Sequence, residues 1–263
     1  MKENHSNKSH WNNHASQWSL IGSPLRPCNE DVQMFTCALI PAGEKGLLLG
    51  VTPELANLTS DITAIDNNPA MIEKLRAQKT NVICGDWLEM SFPLASFDFV
   101  FGDGSLNAIS YPEQYEILLK DIAKIVKKNG LAAFRIYAAP EKAENVEAVV
   151  YAAAHGKIGS FHAFKWRFAM ALTAKNNNAN IKVAAIYREF QELVPDRELF
   201  AQQSGFSLAA INTIDVYAGS DTVYSFPTLS QVRAVTEKYI TELAVTHGSY
   251  ELSECCPVVT FRV

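Results

Sequence analysis

The stretch GLLLGVTPELANL, from Gly46 to Leu58, decides how the rest of the chain is interpreted. It predicts a buried strand through LLLG, a tight turn at Gly50 and a helix that begins at Pro53, because a proline in the first helical turn loses no hydrogen bond. Nucleotide-binding folds usually carry a glycine-rich loop at this point. Here only Gly50 follows the strand, so a ligand at this turn would need other contacts.

Strands and helices alternate from this stretch to residue 139. The predicted strands are LLLG, DITAID (61–66), NVICGDW (81–87), FDFVFGDG (97–104) and LAAFRIYAA (131–139), and the clearest helices are NPAMIEKLRAQ (68–78) and YPEQYEILLKDIAKIV (111–126), which KKNG (127–130) ends. Such alternation predicts an α/β fold with a doubly wound, mostly parallel sheet and right-handed crossovers.

The flanking regions follow different patterns. Short helices are predicted over 11–20 and 30–39, helices dominate 141–203, and two further strands, LAAINTIDVYA (208–218) and CCPVVTFRV (255–263), enclose a helix over 229–244. The sheet would then have seven strands. We divide the chain into an N-terminal helical cap (1–40), an α/β core (41–140), a helical insertion that is a candidate lid (141–203) and a C-terminal part that completes the sheet (204–263).

The composition excludes several classes of protein. The chain has 263 residues, 48% of them hydrophobic, and a formal net charge of -5, which argues against nucleic-acid binding because phosphates need a basic surface. It contains no apolar run of membrane-spanning length and no signal peptide, which predicts a cytoplasmic protein. Its five cysteines form no CxxC pair, and we expect buried thiols and no metal site.

Small and acidic residues follow the predicted strands in turn. Ligands of open parallel sheets bind beyond the carboxyl ends of the strands, and these ends carry Gly50-Val51-Thr52-Pro53, Asp66-Asn67, Asp86-Trp87 and Asp103-Gly104. One carboxylate, Asp66, can accept both hydroxyl protons of a ribose. Asp86 can accept from an exocyclic amine of adenine, and Trp87 offers a flat apolar neighbour. These residues predict an adenosine-containing ligand.

The same loop argues against a dinucleotide. A pyrophosphate would require GxGxxG at a helix N-terminus, whereas Glu54 puts a negative charge near that place. A ligand with a cationic amine or sulfonium and no phosphate fits better, and a nicotinamide-dependent reductase is disfavoured.

Residues 46–138 resemble the class I S-adenosylmethionine-dependent methyltransferases. GLLLGVTPEL resembles the first motif of that family, DITAIDNNPAMIEKLR the second, VICGDWLEM the adenine-contacting segment, FDFVFGDGSLN the fourth motif, and IVKKNGLAAFRI its helix-turn-strand. The resemblance implies a Rossmann-like methyltransferase fold with S-adenosylmethionine as cofactor. It departs from the family in lacking the second and third glycines of the first motif, and in having Lys128-Asn129-Gly130 where the family has Pro-Gly-Gly.

The resemblance also assigns the candidate contacts. By position, Gly50 and Thr52, with Pro53 next to them, would line the methionine part of the cofactor; Asp66 with Asn67 would hold the ribose, Asp86, Trp87 and Met71 would contact the adenine, and Asp103 and Gly104 would lie near the methionine end.

The acceptor is less constrained by the sequence. GDGSLN stands where amino-methylating nucleic-acid enzymes have an NPPY-type segment, which favours a small-molecule or protein acceptor; we expect a small molecule. Arg26, Tyr111 and His162 are candidate substrate contacts. Arg26 could instead pair with any acidic neighbour, Tyr111 could equally begin its helix as a packing residue, and a surface or packed position explains His162 better than a catalytic role. No catalytic base is assigned. The alternative is a methyltransferase fold without catalysis that serves as a binding or regulatory module. The apolar insertion is a candidate homodimer contact.

Overall fold

A seven-stranded sheet forms the centre of the protein. The computed structural model describes residues 20–76 and 81–263, and for 74–76 the backbone only. The sheet contains β1 (Lys45–Leu49), β2 (Asp61–Asp66), β3 (Asn81–Cys84), β4 (Phe97–Asp103), β5 (Val126–Arg135), β8 (Thr241–Thr246) and β9 (Val258–Arg262). Its order is β3-β2-β1-β4-β5-β9-β8. Strands β1 to β5 pair in parallel, and β9 is antiparallel to both neighbours. The predicted doubly wound, mostly parallel sheet is confirmed.

Helices cover both faces of the sheet, which explains why its central strands are apolar at nearly every position. On one face, α1 (Asn29–Leu39) packs its apolar side against alternate residues of β1 and β4. On the other, α3 (Glu113–Ile125) and α9 (Leu229–Thr236) pack against the intervening residues of those strands. α2 (Pro69–Arg76) connects β2 to β3.

The region between β5 and β8 builds a second core. It contains α4 (Val146–Ala154), α5 (Phe161–Lys175), α6 (Val183–Leu193), α7 (Arg197–Ser204), α8 (Leu208–Asn212) and an antiparallel ribbon of β6 (Asn180–Lys182) and β7 (Val223–Ser225). Helix α5 is apolar around most of its circumference and is buried accordingly. Its phenylalanine rings pack against rings of α6 and α7 at centroid distances of 5.5 to 6.4 Å. The predicted helical character is present, and the lid role and the four-part division stay predictions.

The helix predicted to begin at Pro53 is wrong. Residues 53–57 form turns instead, with single hydrogen bonds from Leu55 N–H to the Thr52 carbonyl (3.0 Å) and from Leu58 N–H to the Leu55 carbonyl (3.2 Å). Strand β2 already begins at Asp61. A helix in so short a segment gains too few hydrogen bonds to offset its nucleation cost.

Three further boundaries differ from prediction. Residues 208–218, predicted as a strand, form α8 and a 3-10 turn, because Ser207 caps them by accepting from Ala210 N–H at 3.2 Å. The helix predicted over 229–244 ends at Thr236, and β8 follows as the unforeseen edge strand. Strand β5 begins at Val126, directly after α3, and includes the predicted turn 127–130 with Asn129 at φ +64°.

The helix predicted over 11–20 lies outside the described residues, apart from Leu20. Within the described ranges, no helix has the length and apolar character that a membrane crossing requires.

Candidate functional site

A cavity of about 710 Å³ opens beyond the carboxyl ends of β1, β2 and β4. Nine of the ten predicted cofactor contacts line it: Gly50, Thr52, Asp66, Asn67, Met71, Asp86, Trp87, Asp103 and Gly104. The tenth, Pro53, does not. The cavity continues past these residues to three aromatic side chains that no sequence pattern places here: Tyr137 after β5, Trp166 on α5 and Tyr224 on β7.

Gly50 has no side chain, so the backbone of the first loop can approach a ligand closely. Its φ is +101°, a value that favours glycine, and its N–H donates to the Ile65 carbonyl at 2.9 Å. A Cβ at this position would lie 3.5 Å from Trp87 Cζ2 and 3.9 Å from Asp66 Oδ2. The backbone at Gly50 therefore lies directly beside two of the predicted contacts. Because turns follow it, no helix N-terminus is available here for a pyrophosphate.

Asp66 ends β2 with one oxygen fixed. Its Oδ1 accepts from Asn68 N–H at 2.7 Å, and Asn68 Oδ1 in turn caps α2 by accepting from Met71 N–H at 3.0 Å. Burial raises the pKa of the Asp66 carboxyl from 3.8 to about 6, although hydrogen bonds from the backbone of Asn68 and Asn67 oppose the shift. A carboxyl group that lines a cavity and whose pKa is raised by burial is a candidate ligand contact.

The turn after β3 is held by its own side chains. Asp86 Oδ1 accepts from Leu88 N–H at 2.9 Å and so caps the 3-10 turn over Trp87–Glu89. The indole Nε1 of Trp87 donates to the Ile65 carbonyl at 2.8 Å. This bond fixes the ring against Gly50, as a flat wall of the cavity.

The arginine partner of Asp103 is a feature that sequence reasoning missed. Arg135, at the end of β5, is fully buried; its Nε donates to Asp103 Oδ1 at 2.5 Å and its Nη1 to Asp31 Oδ2 at 2.9 Å. Its Nη2 donates to the Tyr137 hydroxyl at 3.1 Å, and Tyr250 donates to Asp31 Oδ1 at 2.7 Å. Burial alone would lower the pKa of Arg135, but the two carboxylates outweigh it and the pKa lies well above its ordinary value.

This network joins distant parts of the chain at the cavity. Asp31 lies on α1, Asp103 ends β4, and Tyr250 precedes β9. The Tyr137 hydroxyl donates further to the Leu25 carbonyl at 3.0 Å, so the segment before α1 is tied to the same group. Leu25 and Ile21 of that segment line the cavity. An arginine inside an apolar strand, LAAFRI, was the one available signal for a buried ion pair.

Arg26, Tyr111 and His162, the predicted substrate contacts, do not line the cavity. Arg26 forms an ion pair with Glu54, so the negative charge that the sequence places at the first loop is compensated by a cation. The Tyr111 hydroxyl donates to the Gln231 carbonyl at 3.1 Å. His162 is buried, with its Nε2 2.8 Å from the Leu20 carbonyl. Burial and, to a smaller extent, the nearby charge of Lys165 together lower the pKa of His162 to about 4.

The far end of the cavity has aromatic walls. Tyr137, Trp166 and Tyr224 line it, each about one-twentieth exposed. The Trp166 ring centroid lies 5.0 Å from that of Tyr137 and 5.7 Å from that of Tyr224. Asn107 holds this end together, since its Nδ2 donates to the Tyr137 carbonyl at 2.8 Å and to the Ser225 carbonyl at 2.6 Å.

A buried lysine lies behind these walls. Lys165 has no exposed surface, and its Nζ lies 6.0 Å from the Trp166 ring centroid and 4.9 Å from that of Tyr217. Among the described residues its Nζ finds no hydrogen-bond partner. Burial lowers the pKa of Lys165 from 10.5 to about 7. The aromatic end thus has a cationic side chain behind it, while the opposite end is lined by carboxylates.

Metal chemistry has no visible donor set in the described part of the chain. No group of three histidine, cysteine, aspartate or glutamate side chains is arranged there to hold a metal ion. The five cysteines are free thiols, with Cys255 and Cys256 buried and Cys37 and Cys84 exposed.

Three comparisons with known proteins bear on this fold. Residues 49–134 match the family model of the methyltransferase domain. No curated protein matches the chain in sequence.

Solved structures share the fold at low sequence identity. The N-methyltransferase NodS from Bradyrhizobium japonicum, solved with S-adenosyl-L-homocysteine, is 13% identical over 97% of this chain and 98% of its own, with a TM-score of 0.54. An S-adenosylmethionine-dependent methyltransferase from Mesorhizobium loti is 13% identical over 91% and 100%, with a TM-score of 0.53. A Rhodobacter sphaeroides protein provisionally described as a zinc-dependent alcohol dehydrogenase is 12% identical over 95% and 96%, with a TM-score of 0.57.

The family match and the sheet agree with each other. The matched segment runs from the last residue of β1 to the end of β5, and it contains every strand end that lines the acidic part of the cavity. With this segment embedded in the seven-stranded sheet, the chain has the Rossmann-like fold that it shares with the methyltransferase structures.

Proposed function

We propose that this protein transfers a methyl group from S-adenosylmethionine to a small-molecule acceptor. The observation that carries the proposal is the position of Asp66, a half-buried carboxylate at the end of β2 that lines one cavity together with Gly50 and Trp87. A carboxylate with one fixed oxygen at this place suits the two hydroxyl groups of a ribose.

The residues present fit the cofactor along its length. Asp66 and Asn67 would hold the ribose, Trp87, Met71 and Asp86 would surround the adenine, and the backbone at Gly50 and Thr52 would face the methionine part. Asp103 and Gly104 would lie at its amino end, where Asp103 keeps one carboxylate oxygen beyond the one that Arg135 occupies. The bound cofactor supplies an electrophilic methyl group on a sulfonium.

The protein itself would mainly position the acceptor and exclude water. Ile21 and Leu25 cover the cavity from the N-terminal side, and the aromatic end extends it beyond the acidic part. A concave cavity of this size, in a chain with net negative charge, favours a small molecule as acceptor. No catalytic base is assigned. The cytoplasmic location and the homodimer remain predictions from the sequence.

Thermal unfolding with added ligand tests the proposal. S-adenosylmethionine and S-adenosylhomocysteine should each raise the melting temperature, because a ligand that binds only the folded state stabilises it. Asp66→Ala should abolish that rise, whereas Asp61→Ala, at the exposed start of the same strand, should retain it. A wild-type protein that shows no shift at millimolar ligand would refute the proposal.

A second candidate is a methyltransferase fold that binds the cofactor without catalysis. The first loop favours it, since this loop has one glycine and leads into turns rather than a helix. The two candidates differ in one outcome: a catalytically silent module would show the same ligand-induced shift but transfer no labelled methyl group to any acceptor of a broad panel.

A further inference from the structure

The aromatic end of the cavity is built by three separate elements. Tyr137 follows β5, Trp166 lies on α5 and Tyr224 lies on β7, and the three rings line the cavity together. Each ring is almost completely buried, and Trp166 is further wedged by Phe226 at a centroid distance of 5.2 Å. Rigid rings on several sides favour a flat, apolar ligand body.

Two buried polar groups at this end have no hydrogen-bond partner among the described residues. They are the indole Nε1 of Trp166 and the Nζ of Lys165. Both groups are donors only. A ligand oxygen with lone pairs can satisfy a donor, whereas an ammonium group cannot.

The charges nearby also disfavour a cation. Asp103 shares Arg135 with Asp31, so its charge is already compensated. Asp221 pairs with Lys182 at 3.1 Å, and both side chains are largely exposed. The unpaired positive charge of Lys165 therefore has no carboxylate beside it among the described residues to screen it from a ligand that stacks on Trp166.

We infer that Lys165 and Trp166 select planar aromatic acceptors whose polar group is an oxygen, neutral or anionic, and reject acceptors that bind as cations. This inference rests on the proposed function, because it assigns the acceptor class of the same cavity. If the charge of a ligand stacked on Trp166 lies roughly 9 Å from Lys165 Nζ, their interaction at an effective dielectric constant near 20 changes the ligand's affinity on the order of tenfold.

Three probes with one phenol ring test the inference. Tyrosol is neutral, 4-hydroxyphenylacetate is anionic and tyramine is cationic, and all three have similar size. Their affinities should be measured by calorimetry on the full chain saturated with S-adenosylhomocysteine, at about pH 6, one unit below the pKa of Lys165, so that this side chain is mostly charged. We expect tyrosol and 4-hydroxyphenylacetate to bind about tenfold more tightly than tyramine.

Substitutions connect the preference to the two side chains. Lys165→Met should reduce the discrimination to less than about threefold, while Lys175→Met, an exposed lysine on the same helix, should leave it unchanged. Trp166→Phe keeps a ring and removes the N–H, so tyrosol and 4-hydroxyphenylacetate should each bind several-fold more weakly.

The outcomes separate this inference from the proposed function. Tyramine binding as tightly as tyrosol, an unchanged preference in Lys165→Met, or no probe binding to a protein that holds S-adenosylhomocysteine would each overturn the acceptor class alone. A protein that does not bind S-adenosylhomocysteine would overturn the proposed function as well, and that result is read from the cofactor titration before any probe is added.

Discussion

The two ends of the cavity are built on opposite electrostatic principles. At one end, three carboxylates follow strands β2, β3 and β4, and the backbone comes close at Gly50. At the other, aromatic rings from β5, α5 and β7 form the walls, and the cationic side chain of Lys165 lies behind them. One space can therefore hold a positively charged group at its acidic end and a neutral or anionic group at its aromatic end.

The difference teaches how each end is stabilised. The carboxylates of the acidic end are partly exposed, so their charges cost a moderate free energy of folding, which a bound ligand would offset. The aromatic end is buried, and the buried charges next to it are either paired with carboxylates, as Arg135 is, or left with aromatic neighbours only, as Lys165 is. Removing a charge should thus have opposite effects on stability at these two buried sites.

The largest effect is expected at the network that joins the two ends. Arg135→Met would leave Asp31 and Asp103 buried without their cation, and should lower the free energy of unfolding by about 4 kcal/mol. Denaturant titration measures the loss. Arg233→Met, which breaks an exposed pair with Glu242, is the matched control and should cost under about 1 kcal/mol. Equal losses in the two variants would contradict the network.

Lys165→Met should stabilise the protein at neutral pH by roughly 3 kcal/mol, since methionine fills the space without a buried charge. The folded-state pKa of Lys165, about 7, is below the unfolded value. The unfolded chain therefore holds the extra proton between about pH 7 and 10, and wild-type stability rises with pH there. The gain from the substitution should be full below pH 7 and shrink towards pH 10. A gain that does not change with pH would show that the lysine is not desolvated.

The acidic end could be predicted from the sequence because its residues follow strands that hydrophobic runs reveal. Gly50, Asp66 and Asp103 each come directly after such a run, and the fold then brings the strand ends to one edge. The aromatic end could not be predicted, since Tyr137 and Trp166 come together only through the packing of the insertion. The sequence assigns the aromatic run of α5 to a candidate lid, with His162 as a candidate contact, whereas Trp166 of that run lines the cavity and Lys165 lies behind it.

The errors in secondary structure have local causes. The apolar run after Leu208 suits a strand or a helix equally, and the cap by Ser207 decided for a helix. Residues 241–246 contain good helix formers, yet pairing with β9 makes them an edge strand, so tertiary contacts overrode propensity. Pro53 permits a helix start, but the chain has too few residues before β2 to continue one.

Asp66→Asn separates stability from binding at the acidic end. The folded-state pKa of Asp66, about 6, is raised above its unfolded value. Ligand-free stability should therefore fall as pH rises from about 4 to 6, and the charged carboxylate costs stability at neutral pH. Asp66→Asn should raise the free energy of unfolding by about 2 kcal/mol at pH 7 and have no effect below pH 4. Destabilisation at pH 7, measured by the same denaturant titration, would contradict this account of the site.

The smallest effect is expected at the rim of the aromatic end. Lys182 pairs with Asp221 in solvent, so Lys182→Ala should change stability by less than about 1 kcal/mol. It should also leave the preference for tyrosol over tyramine intact, because the charge that sets this preference is the buried one. Loss of the preference in this variant would move its origin from Lys165 to the rim.

The most direct test of the central claim is a calorimetric titration of the protein with S-adenosylhomocysteine over a range of pH. The account predicts one site per chain, with an affinity that is constant above about pH 7 and falls as Asp66 takes up a proton near pH 6. In Asp66→Asn the affinity should be much weaker and should lose this dependence. No binding by the folded wild-type protein, or equal affinity and pH dependence in the variant, would contradict the claim that this cavity holds the cofactor through Asp66.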